Sequence, residues 1–327
     1  MQRRHSVAAL ACGLICSAIL LASFAAGAAA AMSAVPKDRV CDRACLYKFL
    51  DQYLAALRDK DPNRLPWART ARTSENNVEL TIGDGLWGTI SGMGDYKLRF
   101  ADPATGQVGF FGAVQEHGPL SPYALRLKIE DGRIVEAETS VRRKADEGNF
   151  MADPQFFDKP ILNEIVPEQE RQPRERLISI ADGYFDTLQL NDGTLFTQFE
   201  DTCNRVENGV LTTNNPELVK LSFTLGLGCA EQFTLGNFLF DDRLRARRYP
   251  LVDVERGLVW AGTFIDHSGR LGTYKLTDGR VVESRYRRPH SYYLIELFKI
   301  RNNKIQQIEA VFMSVPYHMP SPWGTGE

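Results

Sequence analysis

Residues 291–315, with the sequence SYYLIELFKIRNNKIQQIEAVFMSV, predict two antiparallel strands joined by a tight turn at Asn302 and Asn303. Apolar residues flank this turn, and asparagine tolerates the positive φ that a two-residue hairpin turn needs. Residues 124–138, ALRLKIEDGRIVEAE, repeat the pattern with Asp131 and Gly132 at the turn. The two segments align at further positions: Lys128 with Lys299, Ile129 with Ile300, Ile134 with Ile305 and Glu138 with Glu309. The repeat therefore predicts two related halves.

One position differs between the two hairpins in a way that points to chemistry. Alternate residues of a strand share a face, so the first hairpin has an apolar face and a solvent face: Leu125, Leu127 and Ile129 against Arg126, Lys128 and Glu130. The apolar face of the second hairpin carries Glu296 where the first has Leu125. Burial disfavours a charged carboxyl, so Glu296 is a candidate general acid or base. The alternatives are a structural ion pair with an arginine and a strand edge open to water.

The N-terminus predicts export. Arg3 and Arg4 precede an almost unbroken apolar run over residues 7–31 that ends in alanines, which is typical of a signal peptide cleaved near Ala31 or Ala34. An uncleaved anchor helix is the alternative, because the run is about long enough to span a bilayer. We expect a periplasmic or secreted protein that has no membrane contact after cleavage. The net charge of −2 gives no reason to expect a nucleic-acid partner.

Export would place the remaining cysteines in an oxidising compartment. Cysteines at positions 41, 45, 203 and 229 allow three connectivities. We favour Cys41 with Cys45 and Cys203 with Cys229, which keeps each bridge within its own half. No spacing of cysteine and histidine is typical of a zinc site, so we predict no metal.

The rest of the chain divides around these hairpins. Residues 44–60 have apolar side chains at helical spacing, and residues 177–190 repeat that helix. We predict a signal peptide over 1–31, a first repeat over 38–144, a linker over 145–173, a second repeat over 174–316 and a tail over 317–327. Two repeats in one chain could pair with each other, and a homodimer stays open.

This arrangement resembles the nuclear transport factor 2-like superfamily, which includes ketosteroid isomerase, scytalone dehydratase and polyketide cyclases. More narrowly, the chain is similar to a group of secreted bacterial and fungal proteins of unknown function. The segments that carry this likeness are the pairs at 75–76 and 207–208 (EN), 85–87 (GLW), 247–250 (RRYP), 266–267 (DH) and the final hairpin. The resemblance implies an α+β fold of two tandem cone-shaped repeats, each an N-terminal helix packed on a curved antiparallel sheet around an apolar cavity.

Within that family the working residues line the cone, and residue type selects the candidates here. The catalytic candidates are Glu296, Tyr184, His290 and His318. The substrate-binding candidates are Arg205, Glu231, Arg248, Tyr292, Tyr317 and Trp260. Core tyrosines, surface histidines and structural ion pairs are the alternatives for these residues.

The resemblance implies a cofactor-free enzyme that transfers protons on a small hydrophobic or aromatic molecule. Isomerase, dehydratase or lyase chemistry would fit, including the release of formaldehyde from aromatic dimers. The alternative is a periplasmic or extracellular binding protein for a hydrophobic ligand. The chain has no nucleophile elbow, phosphate-binding loop or H-E-x-x-H motif.

Overall fold

The computed structural model describes residues 41–143 and 153–324 of the chain. The predicted signal peptide, residues 145–152 of the predicted linker and the last three residues of the predicted tail lie outside these ranges. Within them, the protein is a mixed α/β structure with few helices and two six-stranded sheets. The division into the predicted domains stays a prediction.

Four α-helices occur in the described ranges: α1 (Arg43–Arg58), α2 (Leu86–Thr89), α3 (Arg174–Leu190) and α4 (Cys229–Thr234). The predicted helices at 44–60 and 177–190 are confirmed by α1 and α3. Asp42 caps α1 by accepting from the Cys45 amide at 2.8 Å. Asn191 ends α3 in the left-handed conformation, which asparagine adopts more readily than most residues.

The strands form two large sheets with the same order. The first contains β1 (Trp67–Glu75), β2 (Val78–Glu79), β3 (Gly92–Asp102), β4 (Gln107–Gln115), β5 (Leu120–Glu130) and β6 (Arg133–Val141). The second contains β7 (Gln198–Glu207), β8 (Val210–Leu211), β9 (Arg243–Asp253), β10 (Leu258–His267), β13 (His290–Arg301) and β14 (Lys304–Val315). A separate hairpin pairs β11 (Thr273–Lys275) with β12 (Val281–Glu283). The orders are β2-β1-β6-β5-β4-β3 and β8-β7-β14-β13-β10-β9, so the sheets correspond strand by strand.

The prediction of purely antiparallel sheets is wrong at one pair of strands in each sheet. β1 runs parallel to β6, and β7 runs parallel to β14. These neighbours are far apart in sequence, and a long connection can return the chain in either direction. A tight hairpin turn forces the antiparallel arrangement, so the sequence could predict only the pairs that such turns join.

The two hairpins from which the repeat was predicted are confirmed. Ile129 faces Ile134 in the first, and Ile300 faces Ile305 in the second, each directly after an irregularity in the register. Asn302 and Asn303 have φ values of 53° and 59°, as the turn requires.

Three apolar layers hold the chain together. One lies between α1 and the first sheet, and another lies between α3 and the second sheet. The third contains side chains from the opposite faces of both sheets, which pack against each other. The expected solvent face of the first hairpin is wrong at Arg126, which is 2% exposed: it bonds to Glu138 and Gln107, and its guanidinium lies 5.1 Å from the ring of Trp323.

The layer between the sheets contains two carboxylates that reach across in opposite directions. Glu138 of the first half accepts from the Tyr293 hydroxyl at 2.5 Å and from Arg248 Nη1 at 3.0 Å. Glu309, its counterpart in the second half, accepts from the Tyr96 hydroxyl at 2.5 Å. Each half therefore supplies a donor to the buried carboxylate of the other.

A second reciprocal pair lies at the turns between the third and fourth strand of each sheet. Asp102 accepts from the Val252 amide at 3.0 Å and from Arg174 at 2.5 Å. Asp253 accepts from the Ala101 amide at 3.2 Å and from Arg43 at 2.6 Å. Because Arg43 and Arg174 begin α1 and α3, each aspartate fixes the main helix of one half to the sheet of the other.

Both predicted disulfides are present. Cys41 bonds to Cys45 at the start of α1, and Cys203 of β7 bonds to Cys229 of α4. Disulfides are typical of exported proteins, so they are consistent with a periplasmic or extracellular location. The signal peptide itself stays a prediction. None of the helices in the described ranges is long and apolar enough to cross a membrane.

We expect Glu138→Gln to lower the free energy of unfolding by about 3–5 kcal/mol, because Arg126 and Arg248 would lose a buried counter-charge. Burial alone would raise the pKa of Glu138, but Arg248 and Arg126 lower it to about 2, so the group is ionised near neutral pH. Urea unfolding at pH 7 measures the difference. Glu79→Gln is the control, since Glu79 pairs with Arg72 on the surface, where such pairs contribute less than about 1 kcal/mol. Equal effects of the two variants would contradict this account.

Candidate functional site

A cavity of about 360 Å³ lies within the second half of the chain. Its walls come from α3, from the α3-facing side of β7, β13 and β14, and from residues 212–242 and 285–286. Most of the lining is apolar or aromatic: Tyr184, Leu188, Leu218, Leu221, Leu225, Phe238, Phe240, Ile265, Tyr286, Tyr292, Leu294 and Phe312. A concave, mostly apolar space with a few polar groups is the usual form of a small-molecule site.

The connection between the second and third strand differs between the halves. In the first half, residues 80–91 join β2 to β3, and Trp87 is buried with its ring 5.2 Å from that of Tyr53. In the second half, the longer segment 212–242 joins β8 to β9 and covers the cavity. Tyr184, the counterpart of Tyr53, faces this space. The longer connection thus forms the roof of the cavity.

A hairpin and a disulfide hold that roof in place. Leu235 of the roof shares a small core with Tyr274 and Leu276, which belong to the β11–β12 hairpin region. Arg280 lies over the Phe223 ring at 4.1 Å. The Cys203–Cys229 bridge ties the roof to β7. The insertion between β10 and β13 therefore supports the cavity cover.

Three side chains cross the floor of the cavity in one row. Glu207 of β7 pairs with Ala310 of β14, which in turn pairs with Glu296 of β13. Directly paired residues of neighbouring strands point to the same face. The first half has Thr139 and Leu125 at the positions of Ala310 and Glu296. The small Ala310 side chain lies between the positions of the two glutamates in this row.

Glu296 is the most perturbed acid of this row. It is 1% exposed, and burial raises the pKa of its carboxyl to about 8, although Arg205 and a hydrogen bond with Tyr184 act in the opposite direction. Its Oε2 atom has no hydrogen-bond partner in the part of the chain that the structure describes. A buried carboxyl that is uncharged at neutral pH and has a free oxygen can donate or accept a proton.

Arg205 is the cation that lowers the pKa of the Glu296 carboxyl. Its Nη1 donates to Gln232 Oε1 at 2.8 Å, and its Nη2 bonds to Glu207. The guanidinium also lies 5.1 Å from the ring centroid of Phe238. Its Nε has no acceptor among the described residues. Arg205 can therefore still bind an oxygen atom of a ligand.

A second acid lines the cavity beside the roof. Burial raises the pKa of Asp241 well above its usual range, with Glu207 and Asp242 adding to the effect and Arg205 opposing it. The Nδ1 atom of His267 lies 3.3 Å from Asp241 Oδ1. Burial lowers the pKa of His267 to about 4, so its imidazole is neutral near pH 7. The cavity thus contains two carboxyl groups whose surroundings favour the uncharged form.

The structure brings together four of the predicted site residues: Tyr184, Arg205, Tyr292 and Glu296 all line the cavity. Tyr292 contributes aromatic wall, and its hydroxyl donates to the Tyr286 hydroxyl at 3.2 Å. The predicted assignment of Glu296 to the α3-facing side of β13 agrees with this placement.

Three predicted binding residues lie elsewhere. Arg248 bonds to Glu138 in the layer between the sheets, so its guanidinium is already used there. Trp260 is in the same layer, 5.5 Å from the ring of Phe111. Glu231 is exposed and accepts from the Gly228 amide at 2.8 Å, which caps α4. None of these three side chains lines the cavity, and their predicted role in substrate binding stays a prediction.

The remaining candidates lie outside the cavity wall. His290 begins β13, where its Nδ1 lies 3.0 Å from the Arg288 carbonyl oxygen, and its ring is 5.1 Å from that of Tyr292. Tyr317 and His318 stack on each other at 3.9 Å on the surface after β14. The His318 amide donates to Ser291 Oγ at 3.0 Å, which places it beside the start of β13. The catalytic or binding roles of His290, Tyr317 and His318 stay predictions.

Sequence reasoning missed Asp241, Gln232 and Asn237, which line the cavity from the roof. They lie in a segment without a counterpart of equal length in the first half, so the repeat could not point to them. The sequence could have predicted Glu207 as a neighbour of Arg205, because the two residues are two positions apart on one strand and share its face.

Comparisons with known proteins find a match to one domain family, whose function is unknown. A family model described as Domain of unknown function (DUF8021) matches residues 170–312, which include all four cavity residues named above. A crystal structure of AclR from Streptomyces galilaeus aligns with 13% identity and a TM-score of 0.20, covering 31% of this chain and 81% of that one. A search of curated proteins found no match.

We expect the stability of the protein to depend on pH through Glu296. Its pKa is about 8 in the folded chain against an ordinary 4.5, so the folded state holds the proton more tightly. The free energy of unfolding should fall as the pH rises from about 5 to 8, by at most about 1.4 kcal/mol per pH unit from this group. Urea unfolding at several pH values should show that Glu296→Gln removes this part of the slope.

The control for that measurement is Glu217→Gln, which removes an exposed carboxylate of the roof. Its stability profile should run parallel to that of the wild type. A Glu296→Gln profile that also ran parallel would show that Glu296 has an ordinary pKa in the folded chain.

Proposed function

We propose that the second half of this chain is a cofactor-free enzyme that performs acid/base chemistry on a small hydrophobic or aromatic molecule. Isomerisation, dehydration or a lyase step, including release of formaldehyde, are the reactions that such a site could perform. The observation that carries the proposal is the carboxyl of Glu296, which is buried in an apolar cavity with one oxygen unpartnered. Export to the periplasm or the extracellular space is part of the proposal.

We further propose that both halves are repeats of the nuclear transport factor 2-like type. The equal strand orders of the two sheets and the single long helix on each support this assignment. The repeats would form an internal pair, because Glu138 and Glu309 accept hydrogen bonds across the layer between the sheets. In this view, the second repeat holds the active site and the first stabilises it.

The proposed step is proton transfer between Glu296 and a carbon atom of the ligand. The ionised carboxylate takes the proton of a C–H bond, and the electron pair of that bond moves toward an electron-withdrawing group of the ligand. The resulting carboxylic acid can return the proton to another carbon, which is an isomerisation, or to a leaving oxygen, which is an elimination. An acid with a pKa near 8 is a stronger base than an ordinary glutamate, so this environment suits the task.

Two neighbours would assist the transfer. The Tyr184 hydroxyl lowers the pKa of the carboxyl, against the larger effect of burial, and would orient it during the transfer. Arg205 would stabilise negative charge that develops on an oxygen of the ligand, because its Nε–H has no other acceptor. At pH 7, about a tenth of the molecules would have Glu296 ionised, so the activity should rise with pH.

We expect the protein to accelerate the ring opening of 5-nitrobenzisoxazole, a small aromatic probe of carboxylate bases in apolar sites. Removal of its C–H proton breaks the N–O bond and releases a coloured phenolate. The rate should rise with pH and level off above about 8 as Glu296 ionises. Glu296→Gln should lower the rate by about 10²–10⁴-fold, the usual contribution of a general base.

The controls separate an enzyme from a binding protein. Glu217→Gln, an exposed change on the roof, should leave the rate unchanged. Calorimetry with 5-nitrobenzotriazole, which has a similar shape but no scissile bond, should show that Glu296→Gln still binds. Binding of this analogue without any turnover of the probe by the wild type would favour the alternative, an exported binding protein for hydrophobic ligands.

A further inference from the structure

Two buried polar atoms in the cavity wall have no hydrogen-bond partner among the residues that the structure describes. They are Nε of Arg205, whose residue is 4% exposed, and Oε2 of Glu296, whose residue is 1% exposed. A guanidinium N–H can only donate, so Arg205 requires an acceptor. Leaving a buried donor unpaired costs free energy, and a ligand that supplies the acceptor recovers it.

The charges around the cavity favour the same kind of ligand. Arg205 is balanced by its bond to Glu207. Burial raises the pKa values of Glu296 and Asp241, so both carboxyl groups favour the uncharged form. An anion beside Arg205 therefore meets two uncharged carboxyl groups rather than two carboxylates near neutral pH, which removes the repulsion that ionised acids would exert on it.

We propose that the cavity binds an organic monoanion: an aromatic carboxylate whose oxygen atoms accept from Arg205. The inference rests on the proposed function, because it names the class of molecule on which Glu296 would act. The carboxylate is the anchoring group, and the aromatic body lies among the rings of Phe238, Phe240 and Tyr286. Because Nη1 and Nη2 already bond to Gln232 and Glu207, the contact would be a charge-assisted hydrogen bond from Nε.

The protonation of Glu296 should control this binding. Tyr184 faces its carboxyl from α3, and Arg205 and Glu207 face it from β7. Asp241 of the roof and Arg285 of the loop before β13 line the same space. Loss of the Glu296 proton would add a negative charge beside the ligand carboxylate. The affinity for an anion should therefore fall as the pH rises through about 8.

The test compares ligands that share one aromatic body and differ in charge. Isothermal titration calorimetry at pH 6.5 would measure naphthalene-2-carboxylate, naphthalene-2-carboxamide and 2-naphthylmethylammonium against the full folded protein. We expect the carboxylate to bind about tenfold tighter than the amide, as one charge-assisted hydrogen bond allows, and the ammonium ion to bind weakest. At pH 9, the advantage of the carboxylate should shrink.

Variants assign the effect to the two residues. Arg205→Lys keeps the charge but removes the Nε–H, so it should lose most of the preference for the carboxylate. Arg247→Lys is the matched control, since Arg247 binds Asp182 and Asp186 outside the cavity. Glu296→Gln should keep the affinity for the carboxylate and lose its decline between pH 6.5 and 9.

These outcomes separate this inference from the proposed function. Equal affinities for carboxylate and amide, or tightest binding of the ammonium ion, would overturn the inference whatever the activity. Selective binding of the carboxylate that Arg205→Lys abolishes would support it even if 5-nitrobenzisoxazole were not turned over. In that case only the proposed catalysis would fail.

Discussion

The buried carboxylates between the two sheets are the constraint on which the rest of the structure depends. Glu138 is fully buried, yet its pKa is held at about 2 by Arg248 and Arg126 against the effect of burial. The donors come from both halves, so the sheets cannot separate without leaving charges unpaired in an apolar layer. Asp102 and Asp253 likewise accept hydrogen bonds from the opposite half at the turns. The first sheet thereby becomes a rigid support for the second.

Because the first sheet supports it, the second half can keep a less stable arrangement of side chains on the α3-facing side of its sheet. In the first half, Glu75 binds the Leu86 amide at the start of α2, and Trp87 is buried beside Tyr53. In the second half, Glu207 binds Arg205 in the cavity wall, and a longer roof replaces α2. The same strand order therefore gives a filled core around Trp87 and an open cavity beside Tyr184. Two halves with the same strand order can separate stability from site formation in this way.

The sequence predicted what local patterns determine. Turn residues and strand alternation located both hairpins, and the mismatch between Leu125 and Glu296 located the acid on the correct face. It could not predict which distant segments would cover a face, so Arg126 was assigned to solvent. For the same reason it did not show that Trp260 and Arg248 lie in the layer between the sheets and not at the cavity. Asp241 was missed because the first half has no segment of equal length at the position of the roof.

The cavity contains residues that stability of the fold alone would not favour. A leucine at position 296, as at Leu125, would fill the floor and avoid the desolvation of a carboxyl. The structure instead places three acids around one buried arginine, and only Glu207 bonds directly to that arginine. Such an arrangement is unfavourable without a ligand, because Arg205 Nε and Glu296 Oε2 stay unpaired in the described structure. Strongly shifted acids in a largely apolar cavity are typical of functional sites. The unpaired atoms therefore favour a ligand-binding role for this row over a purely structural one.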